Sequence, residues 1–366
     1  MSVGTPAAGT AGTAVDVRIL TRAELALRGV RTPAPVRRPA GAGPSDDCHV
    51  LVDGANAALP NNPDSPYSVR DGRVWLGDVD TGLTLTPVRR PRFYDLATAD
   101  GVRYEHIARL HGADVLATTV VQTCVRYAEP ERCRFCTIEE SLRSGSTIAV
   151  KRPEQLAEVA EAAVRLDGVR QMVMTTGTTA GPDRGARHLA RCVRAVLAAV
   201  PGLPIQVQCE PPADLAWIRE LRDAGATSIG MHVESLDEEV RRRWMPGKSR
   251  VPIAEYEAAW DEAVRVFGRN RVSTYLLVGL GEDPDELVEG AGRLIERGVY
   301  PFVVPFRPTR GTLAARDGAA GPGPELLRRV TERVALRLRA AGMRGADQGA
   351  GCAACGACGV LSAAGG

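Results

Sequence analysis

The sequence has no long hydrophobic run. Among its 366 residues, no apolar stretch approaches the roughly 18 residues that a membrane-spanning helix needs. Its first residues also lack the basic-then-apolar pattern of a secretory signal. These absences argue against a membrane protein, and we expect a cytoplasmic location.

Lysine and net charge are also nearly absent. Of 46 basic residues only Lys151 and Lys248 are lysine, and 44 acidic residues leave a formal net charge of +2. Together with the abundant Ala and Gly, this indicates a general compositional bias toward arginine. Because acids balance the arginines and no basic stretch alternates with aromatic residues, we predict that nucleic acid is not a partner. The 44% hydrophobic and 25% charged residues are ordinary for a globular protein.

Composition divides the chain into four predicted segments: a disordered start (1–14), a small β-rich module (15–112), an α/β region (113–342) and a Cys-rich tail (343–366). In the β-rich module, short runs such as VDVRIL at 15–20 are separated by Gly, Asn and Pro. Asp71-Gly72 fits a hairpin turn. The tail is too rich in Gly and Ala to form a core by itself.

The α/β region repeats one unit six times. Strands are predicted at 115–121, 171–176, 204–210, 227–233, 272–279 and 301–306, and helices near 153–166, 184–200, 214–224, 253–268, 284–297 and 324–341. Pro153, Pro284 and Pro324 stand where a first helical turn tolerates proline. Strands that are apolar on both faces predict a parallel sheet covered by helices, here a partial (βα)6 TIM barrel. Its active site should lie at the carboxyl ends of the strands.

The nine cysteines are unevenly placed. Three are scattered (Cys48, Cys192 and Cys209), and six form two tight triplets (Cys124, Cys133, Cys136 and Cys352, Cys355, Cys358). An odd count in a cytoplasmic chain argues against a disulfide framework, whereas close triplets indicate metal binding.

The first triplet directly follows the first predicted barrel strand. A structural zinc site needs a fourth protein ligand, and none is nearby in the sequence. An iron–sulfur cluster held by three thiolates leaves one iron open to an exchangeable ligand. Cys133 and Cys136 alone could also be half a zinc knuckle or a redox dithiol.

A cysteine triplet after strand 1 of a (βα)6 barrel, with aromatic Phe135 before the last cysteine, resembles the radical S-adenosylmethionine (SAM) superfamily. The usual spacing there is C-x3-C-x2-C, whereas this chain has C-x8-C-x2-C. The resemblance implies a [4Fe-4S] cluster that binds SAM on Cys124, Cys133 and Cys136. It further implies a small-molecule substrate and a one-electron donor such as flavodoxin or ferredoxin.

Motifs at the later strand ends support the resemblance. They are Thr176, Gly177 and Thr178 after strand 2, Glu210 after strand 3, Glu234 after strand 4, and Gly279 and Gly281 after strand 5. By resemblance, the threonine–glycine turn would meet the amino group of SAM, the two glutamates its ribose hydroxyls or ammonium, and the two glycines its adenine. The HVES and LLVGLGE motifs are similar to the lipoyl synthase and biotin synthase branch. Residues 115–310 resemble more closely a radical SAM family associated with nitrilase gene clusters, and that resemblance extends to the C-terminal cysteines.

The second triplet could hold an auxiliary [4Fe-4S] cluster, with the tail folded over or beside the barrel mouth. Its fourth ligand could be Cys48, Ser362, the substrate or none. A flexible thiol-rich tail and a zinc site are the alternatives.

Elsewhere, Arg307 and Arg310 could clamp an anionic group or lie on the surface. We expect packing rather than catalysis from His232, and one of the basic residues in 241–248 could pair with the SAM carboxylate.

Together these features predict a radical SAM enzyme that forms a 5′-deoxyadenosyl radical and inserts sulfur from the auxiliary cluster into a substrate. Dehydrogenation or rearrangement, with that cluster as electron relay or substrate anchor, is the alternative reaction. A non-catalytic iron–sulfur or zinc protein is the alternative outside enzymes.

Overall fold

The computed structural model describes residues 11–31 and 47–366, with side chains described for 18–31 and 49–366. It begins with helix α1 (Ala11–Arg28) and a sheet of five strands: β1 (Asp47–Val52), β2 (Ala55–Pro60), β3 (Tyr67–Arg70), β4 (Arg73–Leu76) and β5 (Val79–Pro87). The strand order is β2-β1-β5-β4-β3, and all pairs are antiparallel. Asp71 and Gly72, with φ of 50° and 73°, form the predicted hairpin turn between β3 and β4.

The predicted strand at 15–20 is wrong, because these residues belong to α1. The valines of VDVRIL suggested a strand, but the following TRAELALR is rich in strong helix formers. The helix buries Leu25 in the same small core as Leu59 of β2. Of the predicted disordered start, residues 11–14 are in this helix and residues 1–10 lie outside the described residues.

The second sheet confirms the partial barrel. Its seven strands are β6 (Arg109–His111), β7 (Val115–Thr119), β8 (Gln171–Thr175), β9 (Ile205–Gln208), β10 (Ser228–Gly230), β11 (Val272–Val278) and β12 (Val299–Pro305). They pair in chain order with β6 and β12 at the two edges, so the barrel is not closed. Strands β7 to β12 are parallel, and β6 is antiparallel to β7. The sequence missed β6 because three residues show no alternation.

Helices cover the second sheet. They are α2 (Glu140–Arg143), α3 (Pro153–Asp167), α4 (Ala186–Ala199), α5 (Ala216–Asp223), α6 (Glu238–Trp244), α7 (Ile253–Phe267), α8 (Pro284–Arg297), α9 (Leu313–Arg316), α10 (Pro324–Ala340) and α11 (Cys352–Cys355). Six of them lie where the sequence predicts them, and four short ones (α2, α6, α9 and α11) were not predicted. The three prolines predicted at first turns begin α3, α8 and α10. Every residue of β9 and β12 is buried, as expected for strands covered on both faces. In the described part of the chain, no helix is both long and apolar enough to cross a membrane.

The Cys-rich tail packs against the half-barrel at the amino ends of its strands. Arg271, just before β11, donates to the Gln348 carbonyl at 2.7 Å, and Ser228, at the start of β10, donates to the Ala350 carbonyl at 3.0 Å. The amide of Gly351 donates to the side chain of Gln171, the first residue of β8, at 2.9 Å. The expectation that the tail folds over the barrel mouth is therefore wrong, because polar side chains at the opposite end of the barrel bind its backbone.

The N-terminal module also holds the tail. The amide of Ala58 in β2 donates to the Ala357 carbonyl at 2.8 Å. The tail thus lies between the inside of the half-barrel and the edge strand of the first sheet. The domain boundaries at residues 112 and 342 stay predictions.

Candidate active site

A cavity of about 220 Å³, here called the loop cavity, lies at the carboxyl ends of β7 to β10. It is lined by most of the residues that the sequence singles out: Cys124, Cys133, Cys136, Thr176, Gly177, Thr178, Glu210 and Glu234, and also by His232 and Lys248. The strand ends thus bring together three thiols, two carboxylates and an ammonium group.

The turn after β8 fixes the start of the cysteine loop. The amide of Gly177 donates to the Val121 carbonyl at 2.8 Å, and that of Val125 donates to the Thr178 carbonyl at 3.0 Å. A Cβ atom on Gly177 would lie 2.0 Å from the Thr123 carbonyl oxygen. Glycine is therefore required here so that the cysteine loop can approach the turn.

The longer spacing between the first two cysteines has a structural reason. Residues of the extra segment bind the region after β10: the amide of Gly247 donates to the Glu131 carbonyl at 3.0 Å, and Arg126 donates to the Gly247 carbonyl at 2.7 Å. The amide of Arg134 similarly donates to the Trp244 carbonyl at 2.8 Å. The insertion thus ties the loop to α6 and the turn that follows it.

Glu210 has a role that the sequence did not suggest. Arg126 on the cysteine loop contacts both of its carboxylate oxygens, at 3.1 and 2.7 Å, and Arg184 lies 3.4 Å away. The Thr178 hydroxyl donates to the same carboxylate at 3.3 Å. A bidentate arginine–carboxylate pair is strong and geometrically specific, so Glu210 anchors the loop. A contact between Glu210 and SAM stays a prediction.

Glu234 forms a mostly buried ion pair with Lys248, with 2.5 Å between Oε2 and Nζ. Burial disfavours the charge on Lys248, but the Glu234 carboxylate together with Tyr256 and Cys133 outweighs this effect, so the pKa of Lys248 is raised. Glu234 has a φ of 61°, rare for a non-glycine residue, and backbone hydrogen bonds to Tyr275 and Leu277 hold it there.

The loop thiols fit a bound metal group. Burial raises the pKa of Cys133 and raises that of Cys136 to about 11. Such thiols stay protonated at neutral pH unless a metal binds them, and metal binding then releases the protons. Three thiols on one loop beside a cavity satisfy the requirement for a cluster with one open iron.

Gly279 and Gly281 follow β11 with φ of 102° and 104°. A Cβ atom on Gly279 would lie 2.8 Å from Pro322, and one on Gly281 would lie 2.5 Å from the Arg243 guanidinium. The indole of Trp244 donates to the Leu280 carbonyl between them at 2.7 Å. The two glycines do not line the loop cavity as described, and their contact with adenine stays a prediction.

A second cavity, of about 240 Å³ and here called the tail cavity, lies inside the half-barrel. Its lining includes Cys352, Cys355 and Cys358, the polar Gln208, Tyr275, Arg109 and Lys151, and the apolar Val115, Ala117 and Val173. Thr175 and Gln208 line both cavities. The two cysteine triplets therefore face adjoining cavities.

Side chains inside the barrel hold Cys352. Gln208 Nε2 donates to the Cys352 Sγ at 3.2 Å, and the Tyr275 hydroxyl is close enough to interact with this sulfur. The backbone amide of Cys352 donates to Gln206 Oε1 at 3.3 Å. Near Cys355, the side-chain amide of Asn56 lies at the longer distance of 4.0 Å. Burial raises the pKa of both thiols.

His232 stacks on Tyr275, with ring centroids 4.1 Å apart and planes within 8°. The amide of Tyr275 donates to His232 Nδ1 at 3.2 Å, and burial lowers the pKa of His232 to about 3. The imidazole is therefore neutral at physiological pH and has the packing role expected for it. His232 lines the loop cavity and Tyr275 the tail cavity, so the stacked pair lies between them.

Several sequence candidates lie elsewhere. Ser362 is exposed and does not line the tail cavity, and the side chain of Cys48 lies outside the described residues. Arg307 donates to the carbonyls of Ala26 and Ala58, at 3.3 and 3.1 Å. Arg307 thus binds the N-terminal module, and an anion clamp formed by Arg307 and Arg310 stays a prediction. Among the described residues, no three His, Cys, Asp or Glu side chains are grouped to hold a single metal ion.

Lys151 was not among the candidate site residues, although the sequence contained a signal for it. The only two lysines of the chain each line one cavity. Lys151 Nζ donates to Gln122, Thr147 and Ile148 oxygens at 2.7–2.9 Å. Burial, together with nearby Arg109, lowers its pKa to about 7. In an arginine-rich chain, a lysine marks a place where a compact and titratable cation is needed.

The fold and the site define a partial (βα)6 barrel protein with a loop of three cysteines at the carboxyl ends of its strands. Residues 129–294 match the model of the radical SAM superfamily, and this part of the chain is a radical SAM domain.

Similar proteins include the lipoyl synthase of Halorhodospira halophila, with 31% identity over 217 residues (57% of this chain and 62% of that protein). The bacteriochlorophyllide c C-7(1)-hydroxylase of Chlorobaculum limnaeum is 26% identical over 242 residues (61% and 59%). The chain spans only 50–62% of the length of these curated relatives and of a second lipoyl synthase, from Thermus thermophilus. A solved structure of methylornithine synthase covers 62% of this chain and 62% of its own, at 19% identity and a TM-score of 0.47.

Proposed function

We propose that this protein is a radical SAM enzyme that inserts sulfur into a small-molecule substrate with the help of a second iron–sulfur cluster on its tail. The observation that carries the proposal is the meeting of the two cysteine-lined cavities at Thr175 and Gln208. A substrate bound at this junction would contact both sites. Similarity to lipoyl synthases supports the choice of sulfur insertion.

In this proposal Cys124, Cys133 and Cys136 bind a [4Fe-4S] cluster, which together with SAM supplies a 5′-deoxyadenosyl radical. Glu234 accepts hydrogen bonds from the ribose hydroxyls, and Lys248, its partner at 2.5 Å, is placed to pair with the SAM carboxylate. Glu210 keeps the loop in position through Arg126. The surrounding barrel excludes water from the cavity.

Cys352, Cys355 and Cys358 would bind the second [4Fe-4S] cluster, the source of sulfur in this proposal. The fit rests on three partly buried thiols at one cavity and on the hydrogen bond from Gln208 to Cys352, beside which the Tyr275 hydroxyl lies. A one-electron donor of the flavodoxin or ferredoxin kind would complete the system.

Iron content and SAM cleavage test the proposal. Anaerobically reconstituted protein should bind about eight irons, as two four-iron clusters. Replacing Cys124, Cys133 and Cys136 together by alanine should remove about four irons and all SAM cleavage. Retained cleavage in that variant would refute the assignment. Cys192→Ala is the matched control, because this cysteine is buried on α4 and lines neither cavity.

The tail triplet separates sulfur insertion from electron relay. The triple alanine variant of Cys352, Cys355 and Cys358 should keep about four irons and still cleave SAM, but form no product. When the tail cluster is built with isotopically heavy sulfide, the label should appear in the product. Without added sulfide, each chain should form close to one molecule of product. Unlabelled product would exclude sulfur insertion and favour the relay. Full activity without residues 345–366 would exclude both roles.

A further inference from the structure

Cys352 differs from an ordinary buried cysteine in the polar side chains beside its sulfur. Gln208 Nε2 donates to Sγ at 3.2 Å, and the Tyr275 hydroxyl is close enough to interact with the same atom. Both side chains come from barrel strands, β9 and β11, rather than from the tail. The half-barrel therefore presents one directed donor and one neighbouring hydroxyl to a single sulfur of the second triplet.

Barrel contacts hold both side chains in place. Gln208 Nε2 also donates to Gln206 Oε1 at 2.8 Å, which orients the amide. The Tyr275 ring lies between His232, at 4.1 Å between centroids, and Phe302, at 5.5 Å. A ring fixed on two sides leaves its hydroxyl little freedom, so the polar surroundings of this sulfur do not depend on mobile side chains.

A neutral thiol is a weak hydrogen-bond acceptor, whereas a thiolate is a strong one. A directed amide donor and a neighbouring hydroxyl at one sulfur thus suit a metal-bound thiolate. Hydrogen bonds to cluster sulfurs are one of the protein's means of setting a reduction potential, because they stabilise the more negative, reduced state.

We propose that Gln208 and Tyr275 are positioning residues that raise the reduction potential of the tail cluster through hydrogen bonds that they donate to Cys352. The inference rests on the proposed function in one respect, namely that the tail cysteines bind a cluster. A cluster of higher potential accepts an electron more readily, which suits a site next to a cavity where a substrate carbon is oxidised.

Redox titration followed by electron paramagnetic resonance tests the proposal on reconstituted full-length protein. The two triple-cysteine variants assign each signal to its cluster. Tyr275→Phe, which keeps the ring and its stacking, and Gln208→Met should each shift the tail cluster to a more negative midpoint potential. The double variant should shift it further, and the loop cluster should keep its potential in Tyr275→Phe.

Tyr300→Phe is the matched control, since Tyr300 is also buried in the sheet but its hydroxyl lies beside Gly345 rather than a cysteine. Its tail cluster should keep the wild-type potential. An unchanged midpoint potential of the tail cluster in Tyr275→Phe would overturn the inference and leave the proposed function intact. If Gln208→Met does not fold, the Tyr275→Phe variant alone decides the question. Wild-type protein with only about four irons would instead overturn the proposed function, and the inference with it.

Discussion

Replacing Glu234 by alanine should weaken SAM binding strongly while leaving the clusters in place. The carboxylate contacts Lys248 at 2.5 Å, is mostly buried and lines the loop cavity, but it contacts none of the cysteine side chains through a hydrogen bond in the described contacts. Loss of a hydrogen-bonded charge of this kind costs about 2–3 kcal/mol. We therefore expect a roughly 30- to 140-fold higher Kd for SAM.

Isothermal titration of anaerobically reconstituted protein with SAM measures this effect, with iron content determined on the same samples. Glu238→Ala is a suitable control. It removes the same charge at a position four residues after Glu234, where the carboxylate forms only an exposed ion pair with Arg242. Lys248→Met completes a double-mutant cycle, and coupling between the two changes is expected because the side chains touch. Wild-type SAM affinity in Glu234→Ala, with full iron content, would refute the assignment of the β10 end.

Two further outcomes follow from single residues. Gly177→Ala should lose about four irons, because the new Cβ would lie 2.0 Å from the Thr123 carbonyl, whereas Gly323→Ala, with no atom within 4 Å of its Cβ position, should keep them all. Burial lowers the pKa of Lys151 from its ordinary value of 10.5 to about 7. Between these two pH values Lys151 is therefore mostly neutral in the folded protein but protonated in the unfolded chain. The free energy of unfolding should therefore rise with pH in this window, by at most about 1.4 kcal/mol per unit, and urea titrations of Lys151→Met should show a smaller rise.

Barrel elements were predictable because their signals are local. The segment 272–279 is apolar on both faces and became β11 (Val272–Val278), and Pro284 begins α8 as its fixed φ suggests. The prediction of a strand at 15–20 was wrong because it depended on two valines, whereas the residues after them favour a helix. Helix propensity counts as a sum over a whole segment, not over its first residues.

Contacts between distant residues were not predictable in the same way. Nothing near Glu210 shows that Arg126, 84 residues earlier, would bind its carboxylate. The glutamines inside the strands, such as Gln206 and Gln208, interrupt apolar runs, and their neighbours in the sequence do not indicate a partner. The structure shows that they face the barrel interior and bind the tail, a role that depends on a segment more than 140 residues later.

The position of the tail has a consequence for the order in which the molecule folds. Asn56 lies 4.0 Å from Cys355 although 299 positions separate them, so a residue that lines the tail cavity makes a contact of very high sequence separation. Such contacts form late, because the entropy of closing a long loop opposes them. During synthesis the loop cysteines and all six parallel strands leave the ribosome before the tail does. Iron delivered to a nascent chain would therefore meet a complete first site while the second is still absent.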